Sequence, residues 1–222
     1  MHVPANFDSL VLDGLLADWL GALTTSSVEG LIILGPAVFG APHERVVHAV
    51  HPPKILDAAK ALAESNDFGH PWQTRDSPMV AWQDISRGVY AEISRWRMLA
   101  LAHGLQTVVR VEFALPRARA FECFLLSPRA LHGRAEAATL LWSAMNIWPK
   151  IRRTISEIVS PLSPREKECL ALAFDGLTAA ETAQRLECGE RTVTYHLANA
   201  MRKLQVDSKL AAVERACWLG VI

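Results

Sequence analysis

Apolar residues recur along this 222-residue chain with two different periods, and the changes of period mark its elements. Between Phe7 and Leu20 the residues Phe7, Leu10, Val11, Leu15, Trp19 and Leu20 fall on one helical face, which predicts an amphipathic opening helix. The short runs Gly30–Leu34 and Arg45–Val50 are rich in branched apolar residues and predict strands. Two longer strand-like runs, Thr107–Leu115 and Ala118–Leu126, flank Pro116-Arg117 and predict an antiparallel hairpin. Helical spacing returns over Ile55–Ala63 and over Ile85–His103, the second closed by Gly104 as a C-cap. From Arg134 to about Ile158 the pattern is again helical, with Leu140, Leu141, Met145 and Trp148 on one stripe and Pro149 positioned to kink it.

A short segment, Ser160-Pro161-Leu162-Ser163-Pro164, then separates two kinds of pattern. Beyond it Ser163 can cap a helix that has Pro164 at its first position and Glu166 in its first turn, with Gly176 as its stop. Thr178 and Glu181 have the spacing of a capping box for a second, shorter helix through Leu186. The turn Glu187-Cys188-Gly189 leads to a third helix, Glu190–Lys203, with Val193, Leu197, Ala200 and Leu204 inward. Asp207-Ser208 starts a fourth, reaching about Leu219. The chain is therefore expected to be α+β, with an N-terminal domain at 1–158, a linker at 159–163 and a four-helix domain at 164–222.

A short helix, a tight turn and a longer helix with a polar outer face is the geometry that lays a recognition helix in the major groove. The outer face would carry Arg191, Thr194, Tyr195, Ala198 and Arg202, with Thr178, Thr192, Asn199 and Lys203 as further contacts to DNA. Arginine suits guanine edges, while hydroxyl and lysine groups suit phosphates. Charge adds nothing to this reading. Lysine and arginine total 23, as do aspartate and glutamate. From residue 161 onward the basic residues Arg165, Lys167, Arg185, Arg191, Arg202, Lys203, Lys209 and Arg215 are matched by Glu166, Glu168, Asp175, Glu181, Glu187, Glu190, Asp207 and Glu214.

Half of the residues are apolar, which suits ordered globular domains. Cys123, Cys169, Cys188 and Cys217 are too scattered for a disulfide framework or a zinc site, and read as reduced thiols. The start lacks the pattern of a signal peptide, and the run at Leu31–Leu34 stops far short of a membrane span, so a cytoplasmic location without membrane attachment is expected.

The C-terminal segment resembles the LuxR/FixJ/GerE-type helix-turn-helix. The match rests on Leu162-Ser163-Pro164-Arg165-Glu166, Gly176, Thr178, Glu181, Ala183, Leu186, Arg191-Thr192-Val193-Thr194-Tyr195-His196-Leu197, Asn199-Ala200, Lys203-Leu204 and Ala211-Ala212. Leu177 stands where that family usually has lysine, Thr182 where it has isoleucine, and Glu187-Cys188-Gly189 where it commonly has Gly-Ile-Ser. Losing a lysine and gaining an acid should weaken sequence-independent affinity.

The N-terminal part lacks the acidic pair, strand-end aspartate and lysine of a phosphoacceptor receiver domain. Its order of elements resembles instead the autoinducer-binding domain of quorum-sensing LuxR regulators, an α/β/α sandwich around a five-stranded antiparallel sheet. With Trp82 on that family's pocket tryptophan, Asp67 falls on its pocket aspartate and His103-Gly104-Leu105 on its Gly-Leu step. The family's upstream tryptophan and tyrosine fall near Ile55 and Ala59, or Lys54 and Ala58 with a one-residue shift, so neither placement supplies an aromatic donor. Trp72 is a candidate replacement. A lactone carbonyl facing Ile and Ala would lack a hydrogen bond, at a cost of about 1–3 kcal/mol.

His43, His48 and His51 do not form a convincing metal set, and no phosphate loop, nucleophile elbow or carboxylate pair points to an enzyme or a cofactor. The resemblance implies a LuxR-type transcriptional regulator that binds operator DNA as a homodimer. Its signal would be absent or an atypical small apolar molecule. The alternative is an anti-activator that heterodimerises with a related LuxR-type regulator and blocks its DNA binding.

Overall fold

In the computed structural model the described residues are 10–37, 44–68, 80–87, 94–115 and 119–222. The chain forms two compact units, Met1–Ile151 and Arg152–Ile222. The division falls inside a long helix, ahead of the 159–163 linker that the sequence suggests.

The first unit contains, in order, α1 (Leu10–Ala22), β1 (Gly30–Pro36), β2 (Arg45–His51), α2 (Leu56–Glu64), β3 (Val80–Asp84), α3 (Arg95–Ala102), β4 (Thr107–Leu115), β5 (Arg119–Ser127) and most of α4 (Arg134–Val159). The five strands make one antiparallel sheet in the order β2-β1-β5-β4-β3. The expected β4–β5 hairpin is present, with Thr107 opposite Ser127 and Leu115 opposite Arg119; its turn at Pro116-Arg117 lies outside the described residues, as do Phe7 and His43. Strand β3 was not anticipated from the sequence. The helix expected over Ile85–His103 is shorter than its pattern. The Asp84 carboxylate accepts hydrogen bonds from the Ser86 amide and hydroxyl, so the chain leaves β3 through a single 3₁₀ turn at Ile85–Arg87, and α3 begins only at Arg95.

Because side chains alternate across a strand, pairing sorts the sheet into two faces. One face contributes Ile32, Leu34, Val50, Val108, Phe124 and Leu126, which pack with Ile55, Ala59 and Leu62 of the α2 region, Phe68, and Trp96 and Ala100 of α3. The other contributes Leu31, Ile33, Val109, Val111, Cys123 and Leu125, all buried. On that side Trp148 of α4 stacks on Phe113 at 4.1 Å and meets Phe121 at 5.2 Å, and the Trp19 indole of α1 donates to Ser143 of α4 at 2.8 Å. Helices thus cover both faces, giving the α/β/α sandwich. Gly35 is required where Phe121 closes in, since a Cβ there would lie 2.4 Å from its ring.

The α2–α3 face also encloses charge. Arg110 is 2% exposed and Glu122 is 3% exposed. The Arg110 guanidinium donates to Glu122 at 2.7 Å and also meets Glu112, while Arg45 lies 3.3 Å from the second Glu122 oxygen. Arg45 also donates to the carbonyls of Leu62, Ser65 and Asp67, satisfying acceptors that a helix end leaves open. Burial pulls the Arg45 guanidinium below its usual range, and Glu122 opposes that pull.

The second unit holds the end of α4 with α5 (Pro164–Phe174), α6 (Ala179–Arg185), α7 (Glu190–Lys203) and α8 (Lys209–Leu219). Arg152 and Ser156, from the end of α4, donate to the carbonyls of Cys217 and Leu219 on α8. No helix among the described residues is long and apolar enough to cross a membrane.

Replacing Glu122 with glutamine keeps its shape but removes the carboxylate that Arg45 and Arg110 share. Breaking a buried pair leaves uncompensated charge, so Glu122→Gln should lower the unfolding free energy of the first unit by about 3–5 kcal/mol. Urea denaturation followed by tryptophan fluorescence measures this; an unchanged midpoint would show that these charges do not hold the face together.

Candidate nucleic-acid interface

The second unit is built from caps inward. Ser163 accepts from the Glu166 amide at 3.4 Å, and Glu166 accepts from the Ser163 amide at 2.7 Å. Thr178 and Glu181 repeat the arrangement at 3.2 and 2.8 Å. The Thr178 capping box thus matches the sequence reading, and the expected Ser163 cap proves to be a second one, with Glu166 reaching back. Helix α5 ends at Gly176 in the left-handed conformation, φ 88°. Gly189, extended, leads into α7.

Cys169 of α5, Ala183 of α6 and Val193 of α7 make a small core, with Leu186 and Leu197 against it. Ala200 and Leu204 are also fully buried. This inward stripe turns the opposite face of α7 to solvent: Arg191, Thr192, Thr194, Tyr195, Ala198 and Arg202 are exposed, and Asn199 is half-buried. Tyr195 is 64% exposed although its ring is large and apolar. Arg202 donates to Asn199 at 3.1 Å, and the Thr194 hydroxyl donates to the Glu190 carbonyl at 3.0 Å. Thr178 is exposed at the start of α6, with its hydroxyl turned to Glu181 at 2.7 Å. The result is an exposed row of hydrogen-bonding groups along a helix whose other side is fixed.

Lys203 is placed differently from the rest of the expected contacts. Its ammonium donates to Glu166 at 2.8 Å, and Glu166 is only 3% exposed. Burial alone would raise the Glu166 carboxyl, but the Lys203 ammonium and the Ser163 amide outweigh it and hold the group below its usual range. The half-buried lysine is thus the counter-ion of a buried carboxylate. Its spacing on the outer edge of α7 does not reveal a partner 37 residues earlier.

The candidate ligand residues are not brought together. The Asp67 carboxylate accepts from the Ser94 hydroxyl at 2.8 Å and from the Trp96 indole at 2.7 Å, with Arg97 at 3.3 Å. Trp96 is buried against Phe68, which meets Phe124, so Asp67 belongs to the α2–α3 side of the sheet. Trp82 pairs with Val109 on the edge strand β3, hence on the opposite side, and is 41% exposed. Trp72 lies outside the described residues. Of the two upstream placements, Ile55 and Ala59 lie in the same apolar cluster as Phe68 and Trp96, whereas Lys54 is exposed. Sequence reasoning missed Ser94 and Trp96, because nothing local ties them to an aspartate 27 and 29 residues earlier. His48, singled out as a metal candidate, donates from Nε2 to the Pro36 carbonyl, and burial pushes its ring down to about 4.

Comparison with known proteins gives this geometry its context. Residues 160–216 match the family described as GerE: Bacterial regulatory proteins, luxR family. The transcriptional activator protein SolR of Ralstonia solanacearum is 32% identical over 171 residues, spanning 76% of this chain and 69% of that protein. The chain belongs to the LuxR family of bacterial regulatory proteins. The transcriptional activator protein LuxR of Aliivibrio fischeri (strain ATCC 700601 / ES114) is 36% identical over 92 residues, which are 41% of this chain; the alignment spans only 37% of that relative's length. The crystal structure of Escherichia coli SdiA shares the fold of this LuxR-family chain, with a TM-score of 0.52 at 20% identity over 95% of this chain and 92% of that one.

The Lys203 assignment has a measurable consequence for stability. Lys203→Met should destabilise the second unit by about 1–3 kcal/mol, since a buried carboxylate loses its charged donor. The pH dependence follows from the lowered Glu166 carboxyl: its contribution is complete above the unfolded value, near 4.3, and is lost as pH falls through the lower folded value. Thermal melts at pH 7 and at pH 3 should therefore separate wild type from Lys203→Met more at the higher pH. A variant equal in stability to wild type at pH 7 would show that this ion pair does not hold the unit together.

Proposed function

We propose that this LuxR-family protein is a transcriptional regulator that acts in the cytoplasm and binds operator DNA as a homodimer, with α7 as the recognition helix of each copy. The observation that carries the reading is the exposed face of α7, where Arg191, Thr194, Tyr195, Ala198 and Arg202 project from a helix anchored by Val193, Ala200 and Leu204. Helix-turn-helix proteins read base edges with the first residues of this helix and hold phosphates with hydroxyl and basic groups around it. A second copy is supported by α4, where Trp142 is 64% exposed and Met145 is 40% exposed, one turn apart. Large apolar side chains at helical spacing suit burial against a partner.

For the signal, the surroundings of Asp67 support independence from acyl-homoserine lactones. Its Oδ2 already accepts from a hydroxyl and an indole of the chain itself, with the Arg97 guanidinium 3.3 Å away as an ion pair. The neighbouring Ile55 and Ala59 offer a carbonyl no donor. Any signal taken on this side of the sheet would be a small, largely apolar molecule of another class. The alternative role, an anti-activator that heterodimerises with a related regulator, draws support from the balanced charge of residues 161–222 and from the engagement of Lys203 with Glu166.

Arg191→Ala and Tyr195→Ala should each weaken binding to an operator selected by the full-length protein from a random duplex pool, by about 1–3 kcal/mol. Both side chains are exposed, so unfolding midpoints should hold. Unchanged affinity in both variants would dismiss α7 as the recognition helix, and a protein that selects no duplex yet shifts a related regulator off its operator would favour the anti-activator role.

The protein should also purify as a folded dimer without added lactone. Thermal melts across a panel of acyl-homoserine lactones of different chain length should coincide with the ligand-free melt. A saturable rise of several degrees, the signature of a ligand that binds only the native state, would reinstate an ordinary lactone sensor.

A further inference from the structure

The turn between α6 and α7 departs from local backbone preference at one residue. Glu187 occupies the left-handed position that closes α6, with φ 52°. The Cys188 amide donates to the Ala183 carbonyl at 3.0 Å, and the Glu187 amide to the Gln184 carbonyl at 3.3 Å. Helix ends of this type favour glycine, because a Cβ crowds the neighbouring carbonyl. The ends of α5 and α8 follow that preference, with Gly176 at φ 88° and Gly220 at φ 74°. Glutamate is unfavourable for a second reason: its charge lies at the negative end of the helix dipole. Neither backbone geometry nor helix electrostatics explains a carboxylate here. What remains is its effect on whatever approaches the turn.

We propose that Glu187 sets the affinity for DNA: its exposed carboxylate repels phosphates next to the first turn of α7 and holds down sequence-independent binding. This rests on α7 being the recognition helix. Glu187 stands three residues before Glu190, the first residue of α7, so its Cα lies within about 10 Å of the helix end that enters the groove, a distance comparable with the screening length at physiological salt. Between Thr178 and Arg202 the basic residues are Arg185, Arg191 and Arg202, and the acidic ones Glu181, Glu187 and Glu190. The segment is therefore neutral, and loss of the Glu187 charge alone makes it cationic. Phosphate attraction is shared by all duplexes, whereas base contacts are not. Repulsion at Glu187 lowers affinity for every duplex alike, which leaves operator binding dependent on base contacts such as that expected of Arg191.

The test uses the full-length protein and four forms of it: wild type, Glu187→Gln, Glu187→Lys and Arg191→Ala. Glu187→Gln should fold normally, because Gln205 already holds the same left-handed conformation, φ 54°, at the end of α7. Each form is titrated onto a labelled duplex of scrambled sequence and onto an operator selected by the wild type, at several salt concentrations. Glu187→Gln should bind the scrambled duplex about three- to tenfold more tightly at low salt, and Glu187→Lys more tightly still, with the gain shrinking as salt rises. A backbone role alone would leave that salt dependence untouched. If both Glu187 variants match wild type on the scrambled duplex at every salt while Arg191→Ala weakens operator binding, the role of Glu187 falls and the recognition helix stands. If the wild type binds no duplex and Arg191→Ala is indistinguishable from it, both fall together.

Discussion

The outward face of α7 depends on a carboxylate held inside the unit. Glu166 is almost fully buried and bonds at once to the Ser163 amide and the Lys203 ammonium. It thereby ties the start of α5 to the last turn of α7. An ionised group tolerates such burial only when its charge and its hydrogen-bonding capacity are both met, so the pair forms in one geometry or is costly. The apolar stripe of Val193, Ala200 and Leu204 orients α7, packed with Cys169 and Ala183. The ion pair adds a directional contact at the end of that helix, and Arg191, Tyr195 and Arg202 stay on its exposed side. Lys203 also sits where the dipole of α7 favours a cation, so local and tertiary preferences agree.

The first unit uses the same device on a larger scale. Glu122 on the central strand β5 joins Arg110 of β4 to Arg45 of β2, and Arg45 reaches on to the carbonyls that end α2. Beside it Asp67 ties Ser94 and Trp96 to the loop after α2. These bonds all lie on the α2–α3 side of the sheet. A ligand entering there would exchange existing hydrogen bonds for its own, and only the difference would appear as affinity. On the proposed reading, that exchange works against a lactone signal on this side of the sheet.

The second unit was almost fully legible in the sequence because its signals are local. Ser163 and Thr178 each sit three residues before a glutamate, Gly176 stops a helix, and the α7 stripe repeats at helical spacing; each feature fixes its element without help from elsewhere. The β4–β5 hairpin was legible for the same reason. Strand β3 was not, since Val80–Asp84 runs into Ile85 with no turn residue to divide strand from helix, and the apolar pattern of Ile85–His103 conceals the turn made by Asp84 and Ser86. The site readings failed to reach the same detail where they depended on pairing across the fold. Residue spacing aligned Asp67 with Trp82, but the strand's alternation puts Trp82 on the other face, and Trp96 takes the place beside Asp67. Lys203, on the edge of α7, pairs with Glu166, 37 residues earlier, a partner that no local spacing announces.

On the proposed reading, these charges also bear on why two copies are needed. A helix-turn-helix with a net positive surface gains affinity from every phosphate it approaches, and a single copy can hold DNA by that attraction alone. Here the segment from Thr178 to Arg202 is neutral, and Lys203, which would tip the balance, is committed to Glu166. Little attraction then remains that is independent of sequence. A pair of recognition helices on one palindrome changes this, because the second binding step becomes intramolecular and its effective concentration replaces the missing phosphate term. Dimerisation through the first unit would in that case be the source of usable affinity, and any signal that strengthened or weakened the dimer would control DNA binding without touching α7.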